Sequence, residues 1–105
     1  MSDAVVFAGT TEGCEICSFL AKHKVSVLAC VATDYGSKSL KEDQYLKIHA
    51  GRLTEPEMEE MLKELAPDLV LDATHPYASE VTKNIRTACE NTGFSYERVL
   101  RAAGA

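Results

Sequence analysis

The feature that most restricts the fold of this 105-residue chain is the stretch from Val5 to Gly13, Val-Val-Phe-Ala-Gly-Thr-Thr-Glu-Gly. An apolar run typical of a buried strand ends at Gly9, and two threonines, a glutamate and a second glycine follow. Glycine permits a sharp turn and a close approach of the backbone to a ligand. Because the first N–H groups of a helix have no partners within it, the helix that follows can bind an anion. This order of parts predicts a phosphate-binding turn.

Strands and helices alternate along the rest of the chain. Strands are predicted at Val5–Ala8, Val25–Val31, Leu46–His49, Asp68–Ala73 and Phe94–Leu100. Helices are predicted at Glu12–His23, between Thr54 and Pro67, and at Pro76–Asn91. The alternation predicts an α/β fold, a Rossmann-like doubly wound parallel sheet of about five strands in the order 3-2-1-4-5. We expect residues 1–105 to form a single dinucleotide-binding-like domain, with a crevice between the carboxyl ends of strands one and four.

Local signals indicate how the helices begin, end and pack. Thr54 can cap the second helix, with Glu57 at the capping-box position. Gly93 stands where glycine commonly ends a helix. On the apolar face of the first helix, Gly13 permits a close approach to the sheet.

A second strand, polar turn and helix occur around Asp72-Ala73-Thr74-His75-Pro76-Tyr77-Ala78. Pro76 suits the first helical position, so Thr74 or His75 lies at the cap. Thr74 can hydrogen-bond a cofactor phosphate or carboxamide, or it can simply cap the helix while Tyr77 packs. The unperturbed pKa of histidine makes His75 a candidate acid or base.

The choice between NADH and NADPH is left open by the residues themselves. Asp34 lies after strand two, about 20 residues beyond the glycine turn, where an acid commonly binds the ribose of NAD. Ser37, Lys38 and Arg52 are candidates for binding the additional phosphate of NADP. We expect the Glu12 carboxylate to turn toward ribose hydroxyls or a backbone N–H, because it would repel a phosphate.

Composition and charge exclude several classes of protein. The net charge of −5 argues against a nucleic-acid partner. Apolar runs are too short to span a bilayer, and the first residues do not resemble a signal peptide, so we expect a cytoplasmic location and no membrane contact. The four cysteines are then expected to be reduced, and Cys14-Glu15-Ile16-Cys17 is interpreted as structural. No metal-ligand spacing is present.

Four strings occur in an order that resembles one known family: Gly9-Thr10-Thr11-Glu12-Gly13, Ala32-Thr33-Asp34-Tyr35-Gly36, Gly51-Arg52-Leu53 and Asp72-Ala73-Thr74-His75-Pro76-Tyr77-Ala78. They resemble the precorrin-6A reductase family of cobalamin biosynthesis, including its cobalt-precorrin-6A form. The resemblance implies NADPH-dependent reduction of (cobalt-)precorrin-6A to (cobalt-)precorrin-6B, with the nicotinamide supplying the hydride.

The resemblance also implies site residues and partners. The turn Gly9–Gly13 should hold cofactor phosphate, and Arg52 remains a phosphate candidate. Tyr35 and Gly36 should line the adenosine side, Thr74–Tyr77 should approach the nicotinamide side, and Thr33 is a further cofactor-binding residue. No catalytic acid is assigned, although His75 and Tyr77 are candidates.

Members of the family resemble two linked α/β domains, so this chain looks like the N-terminal half. Its expected partners are a tetrapyrrole substrate and either a second-half domain or a second copy. Two alternatives remain: a nucleotide-binding module without catalysis, and a remnant that self-associates.

Overall fold

The computed structural model describes residues 3–8, 11–31, 42–74 and 79–99. These residues form strands β1 (Ala4–Ala8), β2 (Val27–Val31), β3 (Leu46–Ala50), β4 (Leu69–Ala73) and β5 (Tyr96–Arg98). They also form helices α1 (Thr11–Lys22), α2 (Glu55–Leu65) and α3 (Ser79–Thr92). None of these helices combines the length and apolar character that crossing a membrane requires.

All five strands are parallel and lie in the order β3-β2-β1-β4-β5. The predicted fold class and strand order are therefore confirmed. β1 and β4 are neighbours, with Ala4 opposite Leu69 and Ala8 opposite Ala73. Since α1 follows β1 on one face of the sheet and α3 follows β4 on the other, the carboxyl ends of these two strands form the point where the winding reverses.

The core consists of two apolar layers, one on each face of the sheet. All five residues of β1 are buried, and alternate residues contribute to opposite layers. Cys17 and Ala21 of α1 pack in one layer. In the other layer, the sheet packs against α2 and α3 through Met58, Leu62, Ile85, Ala88 and Cys89. A central strand covered on both faces accounts for the continuous apolar run in the sequence.

The predicted start of strand two at Val25 is wrong, because the end of α1 uses that residue. Lys24 adopts a left-handed conformation with φ of 65°. Its N–H donates to Ala21 O at 3.0 Å, and the N–H of Val25 donates to Leu20 O at 2.9 Å. These two bonds form a Schellman motif with lysine in the usual glycine position. The strand consequently begins two residues later, at Val27.

The predicted cap of α2 is confirmed. The Glu57 N–H donates to Thr54 Oγ1 at 3.4 Å, and the Thr54 N–H donates to Glu57 Oε1 at 2.8 Å. The helix ends at Leu65, before a left-handed Ala66 and Pro67. Gly93 follows α3 with φ of 82°, as expected of a helix-ending glycine.

Gly13 permits the contact between α1 and the sheet. A Cβ atom at this position would lie 2.9 Å from Ala8 Cα, 3.0 Å from Ala8 Cβ and 3.1 Å from Ala73 Cβ. The first of these distances is to backbone, which cannot rotate away. The first turn of α1 therefore rests on the carboxyl ends of β1 and β4, as the sequence predicted for a close approach at Gly13.

We expect Gly13→Ala to destabilise the fold by about 1–3 kcal/mol, because the added methyl group forces α1 away from the sheet. The higher helix propensity of alanine, about 1 kcal/mol, offsets part of this loss. Urea unfolding measures the difference. Ser18→Ala, on the exposed side of α1, is the control and should change stability by no more than about 0.5 kcal/mol. A Gly13→Ala protein more stable than the original would contradict the packing.

The described cysteines are all unpaired thiols, and three of them are buried: Cys17, Cys30 and Cys89. Burial raises the pKa of Cys17 to about 12, that of Cys30 to about 12 and that of Cys89 to about 11. Burial also raises the pKa of Cys14, which is only partly covered. Because the thiolate is the reactive form, these sites favour the structural interpretation of the C-x-x-C pair.

We predict that N-ethylmaleimide at neutral pH modifies Cys14 first in the folded protein, and modifies Cys17, Cys30 and Cys89 only after unfolding. Peptide mass spectrometry at successive times measures the order. Rapid modification of Cys17, or a Cys14–Cys17 disulfide under mild oxidation, would show instead that the pair is redox-active.

Candidate functional site

The candidate site lies at the carboxyl edge of the sheet, where the first turn of α1 meets the ends of β1 and β4. Gly13 brings that turn against Ala8 and Ala73. In an open α/β sheet, ligands bind at such a reversal point, and the start of a helix favours an anion there. The backbone of Thr11 and Glu12 forms the beginning of α1. An anion such as phosphate is therefore the kind of ligand that the start of α1 favours.

A buried carboxylate, Asp72, stands one residue before the end of β4. Its side chain is fully covered, yet both of its oxygens are hydrogen-bonded. Asp72 Oδ1 accepts from the Thr74 N–H at 3.1 Å, from Thr74 Oγ1 at 2.7 Å and from Arg98 Nη1 at 2.8 Å. Asp72 Oδ2 accepts from the Tyr96 hydroxyl at 2.8 Å. We call Asp72, Thr74, Tyr96 and Arg98 the Asp72 network.

The network joins β4, β5 and α3 at one point. Thr74 Oγ1 lies 3.2 Å from Thr82 Oγ1 of α3, and Arg98 Nη1 donates to Thr74 Oγ1 at 3.1 Å. A hydroxyl carries one proton, which Thr74 directs to Asp72, so Thr82 is the donor to Thr74. Arg98 Nη1 also donates to the Asp72 carbonyl at 3.2 Å. These bonds fix Thr74, the first residue after β4.

Burial alone would raise the pKa of Asp72, since it disfavours the charged form. Hydrogen bonds from the Thr74 hydroxyl, the Tyr96 hydroxyl and the Thr74 N–H outweigh burial, so the pKa lies below its ordinary value. Burial and the bond to Asp72 raise the pKa of Tyr96, which remains a protonated donor. Asp72 is therefore an ionised acceptor at neutral pH, suited to positioning its neighbours rather than to donating a proton.

Arg52 lies farther along the same edge, just after β3. Gly51 has φ of 123°, and its N–H donates to Val31 O at the end of β2 at 2.8 Å. The side chain of Arg52 is exposed. With one strand between β3 and β1, Arg52 stands about 10 Å to the side of the end of β1. It is placed to contact a part of the ligand distant from the Gly13 turn.

Gly13 lies against Ala73, Thr74 follows Ala73 at the end of β4, and Arg52 lies on the same edge of the sheet. Other predicted site residues lie outside the described residues: Gly9, Thr10, Thr33, Tyr35, Gly36, His75, Pro76 and Tyr77. Asp34, Ser37 and Lys38 also lie outside them. Among the residues that are described, no group of three or more His, Cys, Asp or Glu side chains could hold a metal ion.

Sequence reasoning missed Tyr96 and Arg98 and gave Asp72 no role. One signal was available: a carboxylate inside the apolar strand Leu69–Ala73 must be paired if the strand is covered on both faces. The identity of its partner depends on the register of β5, which places Arg98 opposite Asp72.

We expect Tyr96→Phe to lower the free energy of unfolding at neutral pH by about 1–3 kcal/mol, because Asp72 Oδ2 loses its donor while remaining buried. Urea denaturation measures the loss. Tyr45→Phe is the matched control, since the Tyr45 hydroxyl forms no hydrogen bond with the described residues, and it should change stability by no more than about 0.5 kcal/mol.

The loss should depend on pH. Because folding lowers the pKa of Asp72 from 3.8, its ionised form contributes its full stability above that value. The contribution disappears as the pH falls through the lower pKa of the folded state. The deficit of Tyr96→Phe should therefore shrink in acid, and a deficit that stayed constant down to about pH 2 would show that Asp72 is not its cause.

The chain matches the family model described as "Precorrin-6x reductase CbiJ/CobK" over residues 3–105. It is 36% identical over 99 residues to the cobalt-precorrin-6A reductase of Salmonella typhimurium, covering 94% of this chain and 37% of that protein. It is 33% identical over 98 residues to the cobalt-precorrin-6A reductase of Methanothermobacter thermautotrophicus, covering 92% of this chain and 32% of that protein.

A solved structure named CobK precorrin-6A reductase superposes with a TM-score of 0.81 at 27% identity, covering 97% of this chain and 40% of that one. The chain thus spans two fifths or less of the length of these relatives. The sheet order, the glycine-dependent junction of α1 with β1 and β4, and these matches lead to one conclusion: the chain belongs to the precorrin-6x reductase CbiJ/CobK family.

Proposed function

We propose that this chain is the cofactor-binding half of an NADPH-dependent reductase that converts (cobalt-)precorrin-6A to (cobalt-)precorrin-6B in cobalamin biosynthesis. The observation that carries the proposal is the Gly13 contact, which puts the first turn of α1 against the ends of two neighbouring strands. Helix N–H groups at a reversal point suit the pyrophosphate of a dinucleotide. Membership of a reductase family makes a nicotinamide the fitting dinucleotide.

The strand order and the family resemblance support one direction for the cofactor along the carboxyl edge of the sheet. The Gly9–Gly13 turn would hold the pyrophosphate, and Arg52, Thr33, Tyr35 and Gly36 would serve the adenosine side. His75, Pro76 and Tyr77 would face the nicotinamide side, together with the backbone of Thr74, because the Thr74 hydroxyl is already used by Asp72, Thr82 and Arg98. When bound, NADPH would supply the hydride. The chain's own part is to bind and orient: Gly13 allows the backbone to approach, and the Asp72 network holds Thr74 in place.

The proposed form of the cofactor depends on Arg52. Its guanidinium is always charged and is exposed beside Gly51, so it can pair with the additional phosphate that distinguishes NADPH from NADH. The negative net charge of the chain, −5, does not oppose the binding of NADPH, because a few local groups decide where an anion binds.

The lengths of the relatives support a proposal about the rest of the protein. The Salmonella typhimurium relative is covered only to 37% of its length, so most of that enzyme has no counterpart in this chain. We therefore assign the tetrapyrrole pocket in part to a second domain or a second chain, and propose that residues 1–105 alone bind the cofactor without turnover.

Isothermal titration calorimetry with NADPH and NADH tests the proposal. The chain should bind NADPH. Arg52→Ala should weaken the affinity for NADPH by about tenfold, because one charge-assisted hydrogen bond is lost, and should change the affinity for NADH by less than about twofold. Lys47→Ala removes an exposed cation from β3 itself and should leave both affinities unchanged. If the folded chain bound neither nucleotide, the cofactor assignment would fail. Equal losses for NADPH and NADH would remove Arg52 from the phosphate contact.

A further inference from the structure

An open groove of about 550 Å³ runs along the side of α3 that faces away from α2. Asn91 marks the α2 side of the helix, since it donates to Glu59 Oε2 at 3.0 Å. The groove residues of α3 recur at three- and four-residue spacing, which places them on another face of the helix, and Arg98 of β5 completes the lining. Ser79, Thr82 and Thr87 add hydroxyl-bearing side chains to the lining.

The groove reverses the charge of the chain locally. Three cations line it, Lys83, Arg86 and Arg98, against one carboxylate, Glu90. The whole chain carries a net charge of −5. Lys83 and Arg86 are exposed, and no salt bridge joins either to an acid among the residues that the structure describes. Cations left unpaired in an acidic protein concentrate anions at that position.

One end of the groove reaches the candidate site through Thr74. Thr82, which lines the groove, lies 3.2 Å from Thr74 Oγ1, and Arg98 Nη1 donates to the same oxygen at 3.1 Å. Nη1 is the one guanidinium nitrogen of Arg98 that donates hydrogen bonds to the described residues, and the side chain is 22% exposed. Its remaining N–H groups can therefore bind an anion without releasing Asp72.

The strand order indicates which part of a ligand the groove would meet. Along the carboxyl edge, Arg52 follows β3, Gly13 rests on β1 and β4, Thr74 follows β4, and Arg98 ends β5. A dinucleotide bound from Arg52 toward Thr74 would present its nicotinamide next to the groove. The next ligand group along the edge would then belong to the substrate.

We propose that the groove formed by Lys83, Arg86 and Arg98 binds carboxylate groups of the substrate. The inference rests on the proposed function, which makes the substrate a tetrapyrrole, and tetrapyrrole precursors carry acetate and propionate side chains. Guanidinium groups bind carboxylates through paired hydrogen bonds, and lysine adds a point charge. Ion pairs in this groove would hold one rim of the macrocycle beside the nicotinamide side of the cofactor.

Uroporphyrin, which bears an acetate and a propionate on every pyrrole, and coproporphyrin, which keeps only the propionates, serve as probes. Their binding to the chain is followed by porphyrin fluorescence. The variant Lys83→Gln/Arg86→Gln is compared with Lys22→Gln/Lys63→Gln, which makes the same change in net charge at exposed helix positions outside the groove. All four side chains are exposed, so both variants should fold, and thermal unfolding checks this.

We expect the groove variant to weaken uroporphyrin binding by about tenfold or more and the control variant by less than about twofold. Coproporphyrin should bind the original chain more weakly than uroporphyrin does. Its affinity should also fall by a smaller factor in the groove variant. Equal losses in the two variants, or no loss in either, would overturn the inference.

An NADPH titration of the same proteins separates this inference from the proposed function. NADPH should bind the groove variant as it binds the original chain. A loss of NADPH affinity confined to the groove variant would assign the groove to the cofactor and overturn the inference. Failure of the original chain to bind NADPH would overturn the proposed function, while the porphyrin comparison would still decide whether the groove takes carboxylates.

Discussion

The contact between Gly13 and the ends of β1 and β4 is the constraint on which both the fold and the candidate site depend. A single added carbon would lie 2.9 Å from Ala8 Cα, so only glycine allows α1 to rest where it does. The contact closes the layer between α1 and the sheet, and it also places the first turn of α1 at the reversal point. Packing and the proposed anion binding therefore require the same residue.

The buried charge of Asp72 is a second constraint on the structure. A buried charge is costly unless it is paired and hydrogen-bonded, and Thr74, Tyr96 and Arg98 meet that condition from three sides. A buried ion pair is weak evidence of net stability, because desolvation offsets much of the attraction. Its clear effect is geometric: it ties β5 to β4 and holds Thr74 at the start of the turn that is proposed to face the nicotinamide.

Most of the fold could be predicted from local patterns. The apolar runs, the Thr54–Glu57 cap and Gly93 each act within a few residues, so the order of elements and the strand order 3-2-1-4-5 followed. The start of strand two was wrong because Lys24 adopted a left-handed conformation that sequence patterns reserve for glycine. For the site, the close approach of Gly13 to the sheet agreed with expectation, whereas the partners of Asp72 were not anticipated.

The sequence by itself determined the alternation of strands and helices, the glycine turn and the strings that mark the family, because each depends on residues close together in the chain. Only the tertiary structure decided that Arg98 pairs with Asp72 across 26 positions, and that Lys83 and Arg86 share a groove with it. Such pairings depend on strand register and on how α3 crosses the sheet. Those are set by the packing of the whole core, and no short stretch of sequence encodes them.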